Sequence, residues 1–216
     1  MKIFLDTADV DQIRTAYSWG IIDGVTTNPS HVAASGRPFR EVVEEICDIC
    51  PGPVRAEVIS TEADGIIEEA HEVSSWAPNI VVKVPVIKEG IKAIARLSQE
   101  GIKTNATICF SANQALLAAK AGATYISPFV GRLDAVGHDG MILAEEILEI
   151  YRNYDFTTQI IVSAARHPLH VLQAARMGAH VTTMRFDILE QMFHHPLTDA
   201  GLEQFLSDWN EAGLTL

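Results

Sequence analysis

The chain has 216 residues, a formal net charge of -12 and 48% hydrophobic residues, enough to bury a large core in one domain. None of its 16 lysines and arginines forms a run, which excludes a nucleic-acid surface built on clustered cations. No apolar stretch reaches the roughly 18 residues of a membrane helix, and no secretory region precedes Asp6, so a cytoplasmic protein without a membrane partner is expected.

In chain order, short β-branched runs alternate with segments of helical period. The expected strands are 3–5, 24–27, 54–58, 80–84, 104–108, 124–126, 159–162 and 180–183. Helices are expected over 9–16, 39–50, 64–77, 89–100 and 141–154. Ser111-Ala112-Asn113-Gln114 reads as a capping box for a further helix that ends near Ala121, with Gly122 as its stop. His167-Pro168 opens another that ends before Gly178. The Cys47/Cys50 spacing has no second pair and runs into Pro51-Gly52-Pro53, so it reads as a helix end rather than a redox or zinc motif. The eight histidines show no ligand spacing, and His194-His195 before Pro196 reads as a helix terminus; no metal and no cofactor is expected.

Eight strands alternating with helices close most simply as a (β/α)8 TIM barrel, an α/β fold in one domain spanning 1–216. The alternative is a doubly wound sheet, but Phe4-Leu5-Asp6-Thr7-Ala8 offers no glycine fingerprint at the first turn. Residues 197–216 read as an extra C-terminal helix, with Leu202, Phe205, Leu206 and Trp209 at helical spacing. That stripe follows a completed barrel, so it packs on a neighbouring subunit or on the barrel's own bottom or side.

Lys83 interrupts the apolar run Ile80-Val81-Val82-Lys83-Val84-Pro85-Val86, where an ammonium group loses its hydration. Desolvation favours the neutral amine, the form that attacks a carbonyl to make a Schiff base. An edge-strand lysine snorkelling to solvent is the alternative. Barrel enzymes gather their chemistry at the C-terminal strand ends. The polar residues expected there are Asp6, Thr26, Thr27, Asn28, Glu57, Asn105, Thr107, Ser127, Ser163, Arg166, Thr183 and Arg185. Lys83 with Asp6 and Glu57 supplies a nucleophile and two acid/base groups, which suits carbon–carbon cleavage through an imine.

Asp6-Thr7-Ala8, Gly24-Val25-Thr26-Thr27-Asn28-Pro29-Ser30, Val81-Val82-Lys83-Val84-Pro85, Phe110-Ser111-Ala112-Asn113-Gln114 and Ser127-Pro128-Phe129-Val130-Gly131-Arg132 resemble the short transaldolase family, which includes fructose-6-phosphate aldolases. The resemblance spans essentially the whole chain. It implies that Lys83 is the Schiff-base nucleophile, Asp6 the proton acceptor, and Glu57 and Thr107 the groups that position a catalytic water. It implies that Asn28, Asn105 and Ser127 hold the dihydroxyacetone hydroxyls and that Arg132 and Arg166 grip a terminal anion; Thr26, Phe129, Ser163 and Arg185 are further expected substrate-binding residues.

The resemblance further implies a ketose donor and an aldose acceptor such as glyceraldehyde 3-phosphate or erythrose 4-phosphate, and a homo-oligomer, a decamer of two pentamers. Glu57 where the aldolases carry glutamine, and Phe129 where they carry tyrosine, favour transfer over release of free dihydroxyacetone. A barrel without catalysis would have lost Lys83, Asp6 or Glu57, and all three are present. Two positions depart from the family: Ala164 stands where a phosphate-binding serine is usual, and Arg185 where a proline is common. Both fall at the barrel's usual phosphate site. They leave open either a phosphate held by the arginines or another C6 anion, such as the sulfonate of 6-deoxy-6-sulfofructose.

Overall fold

A computed structural model describes residues 1–215. The strands β1 (Lys2–Asp6), β2 (Gly24–Thr26), β3 (Val54–Glu57), β4 (Ile80–Pro85), β5 (Thr104–Cys109), β6 (Tyr125–Pro128), β7 (Gln159–Ala165) and β8 (Val181–Met184) are all parallel and pair in sequence order. Strand β1 bonds to both β2 and β8, so the sheet closes into a barrel and the doubly wound alternative falls away. The helices are α1 (Val10–Ser18), α2 (Pro29–Ser35), α3 (Phe39–Ile49), α4 (Ala63–Ser75), α5 (Lys88–Gln99), α6 (Ala112–Lys120), α7 (Val130–Asp134), α8 (Gly140–Asn153), α9 (Pro168–Met177), α10 (Phe186–Gln191) and α11 (Pro196–Glu211). None is long and apolar enough to cross a membrane.

Alternation along each strand divides the core in two. The larger part fills the space between sheet and helices, with Leu5, Val25, Ala56, Val82, Val84, Ala106, Ile126 and Ile160 facing Ile13, Ile46, Ile66, Ile94 and Ile147. The smaller part lies inside the barrel, where Phe4, Val81, Tyr125, Ile161 and Val181 form a buried plug. The strands can be apolar on both faces because helices cover one and the plug fills the other.

Local signals set several helix ends. Ser111 Oγ accepts the Gln114 N–H at 3.2 Å, while Gln114 Oε1 accepts the N–H of Phe110 at 2.9 Å. The expected reciprocal cap forms, but its return bond reaches one residue further back than a capping box requires. Pro168 sits in the first turn of α9, and Gly178 stops it in the left-handed region at φ 81°. Ahead of α11, His195 is the cap and Pro196 the first residue, so the tail helix begins one residue before the expected 197 and ends at Glu211.

Three helices, α2, α7 and α10, were not expected from the periodicity. Each is under two turns and follows a strand on the C-terminal face, where a 3.6-residue period has no room to show. Helix α11 buries none of its residues, so the alternative that it covers its own barrel is overturned: Leu202, Phe205, Leu206 and Trp209 all remain exposed.

Candidate active site

Lys83 is 3% exposed, which overturns the snorkelling alternative. Strands β3 and β4 pair Glu57 with Lys83 in register, and the Lys83 Nζ donates to Glu57 Oε2 at 2.7 Å and to the Thr27 carbonyl at 2.9 Å. The carboxylate that the lysine lacks in its own sequence neighbourhood is therefore supplied by the adjacent strand. A buried ion pair needs this directness to offset desolvation.

A cavity of about 410 Å³ opens at the C-terminal ends of the strands above this pair. Asp6, Thr26, Asn28, Glu57, Lys83, Thr107, Ser127, Phe129, Arg132, Ser163, Arg166 and Arg185 all line it. Among the residues singled out by sequence, Thr27 is absent from the wall, and so is Asn105. It lies fully buried below, its Oδ1 accepting from Ser127 Oγ at 2.9 Å, while its Nδ2 and the Thr107 Oγ1 have no partner among the described residues.

Asp6 ends β1, and burial pushes its carboxyl above the usual carboxylate range. The charges of His31, Lys83, Arg55 and Arg185, in that order, oppose the rise. His31 Nδ1 stands 3.6 Å from Asp6 Oδ1. Sequence reading missed this histidine, although Asn28-Pro29 signals the short helix that carries it. Asn28 caps α2, its Oδ1 accepting the His31 N–H at 3.0 Å while its Nδ2 meets His31 Nδ1 at 3.0 Å.

Arg55 was also missed. It is the residue one pleat below Glu57 on β3, fully buried, with its guanidinium 4.2 Å above the Phe4 ring and 6.0 Å from that of Tyr125. No carboxylate pairs it among the described residues. Its Nη2 donates to Thr26 Oγ1, which meets Thr183 Oγ1 at 2.8 Å, while Nε and Nη1 have no partner. Burial pulls this guanidinium down to about 9, still a cation at neutral pH.

On the opposite rim, the Arg132 guanidinium lies 4.9 Å from the Phe129 ring, which packs edge-on against Phe110. Arg132 and Arg166 have no carboxylate partner among the described residues, whereas Arg185 forms two bonds to Asp187, at 3.0 and 2.7 Å. Sequence reading counts three equivalent cations here; the structure gives two unpaired ones and a third offset by its neighbour. Ser163 is buried and its Oγ donates to the Ile161 carbonyl at 3.1 Å.

Strands β5 and β7 both lose register near this rim, and each places a left-handed residue on the cavity wall, Ile108 at φ 60° and Ala164 at φ 57°. Non-glycine residues there carry strain, which concentrates at functional sites. A separate, more apolar groove of about 490 Å³ between α2 and α4 shares Glu57 and Pro29 but contains neither Lys83 nor Asp6. Burial pushes the Cys47 thiol to about 12 and the Cys50 thiol upward, so neither is a ready thiolate.

Residues 3–216 match the family described as Transaldolase/Fructose-6-phosphate aldolase. A protein of Herpetosiphon aurantiacus named "Probable transaldolase" is 58% identical over 211 residues, covering 98% of this chain and 96% of that one. Proteins of the same printed name in Thermoanaerobacter sp. and Methanococcus maripaludis are 57% and 56% identical, covering 100% and 97% of both partners in each alignment.

Proposed function

This chain belongs to the transaldolase/fructose-6-phosphate aldolase family, and from that premise we propose that it is a Schiff-base transaldolase moving a dihydroxyacetone unit between a ketose with a C6 anion and an aldose. The observation that carries the reading is the buried Lys83 bonded to Glu57 at 2.7 Å beneath the Asp6 cavity.

The Lys83 amine attacks C2 of the ketose after its proton passes to Glu57. The carbinolamine loses water to give an iminium, with Glu57 and the unpartnered Thr107 hydroxyl holding that water. Asp6 takes the proton of the C4 hydroxyl, the C3–C4 bond breaks, and its electrons move into the iminium to leave an enamine on Lys83. C4 departs as an aldehyde. An acceptor aldehyde is attacked by C3 of the enamine, Asp6 returns the proton to the new hydroxyl, and water releases the product ketose. Phe129 offers no hydroxyl to protonate the enamine, which supports transfer over the alternative, a fructose-6-phosphate aldolase releasing dihydroxyacetone.

Arg132 and Arg166 grip the C6 anion through charge-assisted bonds. A sulfonate, as in 6-deoxy-6-sulfofructose, is favoured by two observations. Ala164 offers no hydroxyl, and Asp187 beside Arg185 repels a dianion more than a monoanion. Three buried unpaired cysteines support a reducing, cytoplasmic setting.

The test is incubation with fructose 6-phosphate or its 6-sulfo analogue, with and without an aldehyde acceptor, followed by borohydride. A three-carbon adduct on Lys83 and turnover that depends on acceptor are expected, with the 6-sulfo donor preferred. A label on another lysine, or rapid release of dihydroxyacetone without acceptor, contradicts the mechanism; a preference for phosphate overturns the sulfonate assignment alone.

A further inference from the structure

We propose that His170, braced by Asp134, is a positioning residue that fixes Arg166 for anion binding. The inference rests on the reading of Arg166 as a ligand for the substrate's terminal anion. Arg166 follows β7 directly, and its backbone N–H donates to His170 Nδ1 at 3.2 Å. Only a neutral ring with its lone pair on Nδ1 can accept that bond, so the proton sits on Nε2. Nε2 faces Asp134 Oδ2 at 2.8 Å, and the other Asp134 oxygen takes the Gly140 N–H at 2.8 Å. One carboxylate thus ties α7, the start of α8 and the first turn of α9 to the Arg166 backbone.

The side chain of Arg166 is constrained as well. A methyl group added at Gly131 would lie 2.5 Å from Arg166 Cγ and 3.1 Å from its Nε, so the arginine stem crosses directly over that glycine. Anchored by its backbone and packed along its stem, the guanidinium reaches the cavity wall. Asp134, His167 and His170 also offer ligand atoms within 4.8 Å of one another, the spacing of a metal site. The tautomer that serves Arg166 argues against one: Nδ1 is occupied by an N–H and Nε2 carries the proton, so His170 has no free lone pair.

The arrangement carries a pH dependence. A protonated ring has no acceptor on Nδ1, and its new N–H would oppose that of Arg166. The groups facing His170 are His167 and Arg166 before α9, Asp134 from α7 and Asp139 at the head of α8. Burial and the neighbouring His167 hold the imidazole below its ordinary value, with Asp134 and Asp139 opposing. The neutral, anchoring form therefore prevails at neutral pH and is lost only in acid.

Two substitutions separate positioning from packing. His170→Asn keeps a carbonyl near the Nδ1 position and drops the Asp134 contact; His170→Gln reaches Asp134 and leaves the Arg166 N–H without an acceptor. Calorimetric titration of the intact protein with inorganic sulfate should show the asparagine variant within about threefold of the unmutated protein and the glutamine variant about tenfold weaker, the effect of one hydrogen bond.

The unmutated protein should lose sulfate affinity only in acid, below the ordinary imidazole range, and His170→Asn should remove that fall. The asparagine side chain does not titrate, so loss of the fall in that variant identifies His170. Equal affinity in all three proteins, a weaker asparagine than glutamine variant, or no sulfate affinity in the unmutated protein overturns the proposal. Kinetically, His170→Gln should raise KM for fructose 6-phosphate and leave that for fructose unchanged. If the unmutated protein turns over neither fructose 6-phosphate nor its 6-sulfo analogue, the transaldolase reading fails while the sulfate titration still decides the role of His170.

Discussion

Arg55 is an expensive residue to keep. A fully buried guanidinium with two unpartnered nitrogens and no carboxylate partner among the described residues loses several kcal/mol of hydration that two aromatic faces and one hydroxyl return only in part. Its charge acts on Asp6, whose carboxyl is raised by burial and lowered by Arg55 among other cations. Arg55→Met should therefore stabilise the fold by about 1–4 kcal/mol. The same change should move the acid limb of kcat/KM to higher pH, because the Asp6 base form then appears later as pH rises. For stability the sign is the reverse: a carboxyl raised by folding favours the protonated form, so its contribution is present in acid and is lost as pH climbs through the raised value. A thermal melt and a pH–rate profile on the same variant check both halves. A lower melting temperature with an unmoved profile would make Arg55 a structural residue.

Helix α7 shows how one element sets several groups at once. It carries Arg132, begins beside Phe129 and ends at Asp134, and its Gly131 lies against β7 so closely that an added methyl group would stand 2.2 Å from the Ala164 carbonyl. Gly131→Ala should lift α7 from β7 at a cost of about 1–3 kcal/mol and raise KM for the anionic ketose, both readable from a denaturant melt and initial rates. An unchanged KM would mean that the helix does not aim the arginines. The strands were legible in sequence because each is a short β-branched run buried on both faces, a pattern that needs no knowledge of its neighbours. Lys83 was legible for the same reason, as one charge in such a run. Helices α2, α7 and α10 were not, since so few residues show no period, and His31 was lost with α2. Arg55 escaped because its partners Phe4, Thr26 and Tyr125 come from other strands and meet it only when the barrel closes.

At the scale of the whole molecule, the unpartnered face is α11. Leu197, Leu202, Phe205, Leu206 and Trp209 are 40–76% exposed on a helix that buries nothing, and an apolar stripe of that size marks an interaction surface. Contact between copies of this chain in a homo-oligomer is what the family resemblance implies for it. Phe205→Glu should yield a smaller species in light scattering with an unchanged circular dichroism spectrum. A monomer in the unmutated protein at micromolar concentration contradicts that expectation.

The plug of Phe4, Val81, Tyr125, Ile161 and Val181 has a consequence for traffic. It seals the barrel below Lys83, so the site is a well with one mouth and has no rear exit. A departing aldose and an incoming one, as proposed, would share that opening, and the second could not arrive until the first had cleared it. On the proposed mechanism, a three-carbon fragment held on Lys83 would wait at the bottom between visits, and the two sugars would meet the enzyme in alternation without ever occupying it together.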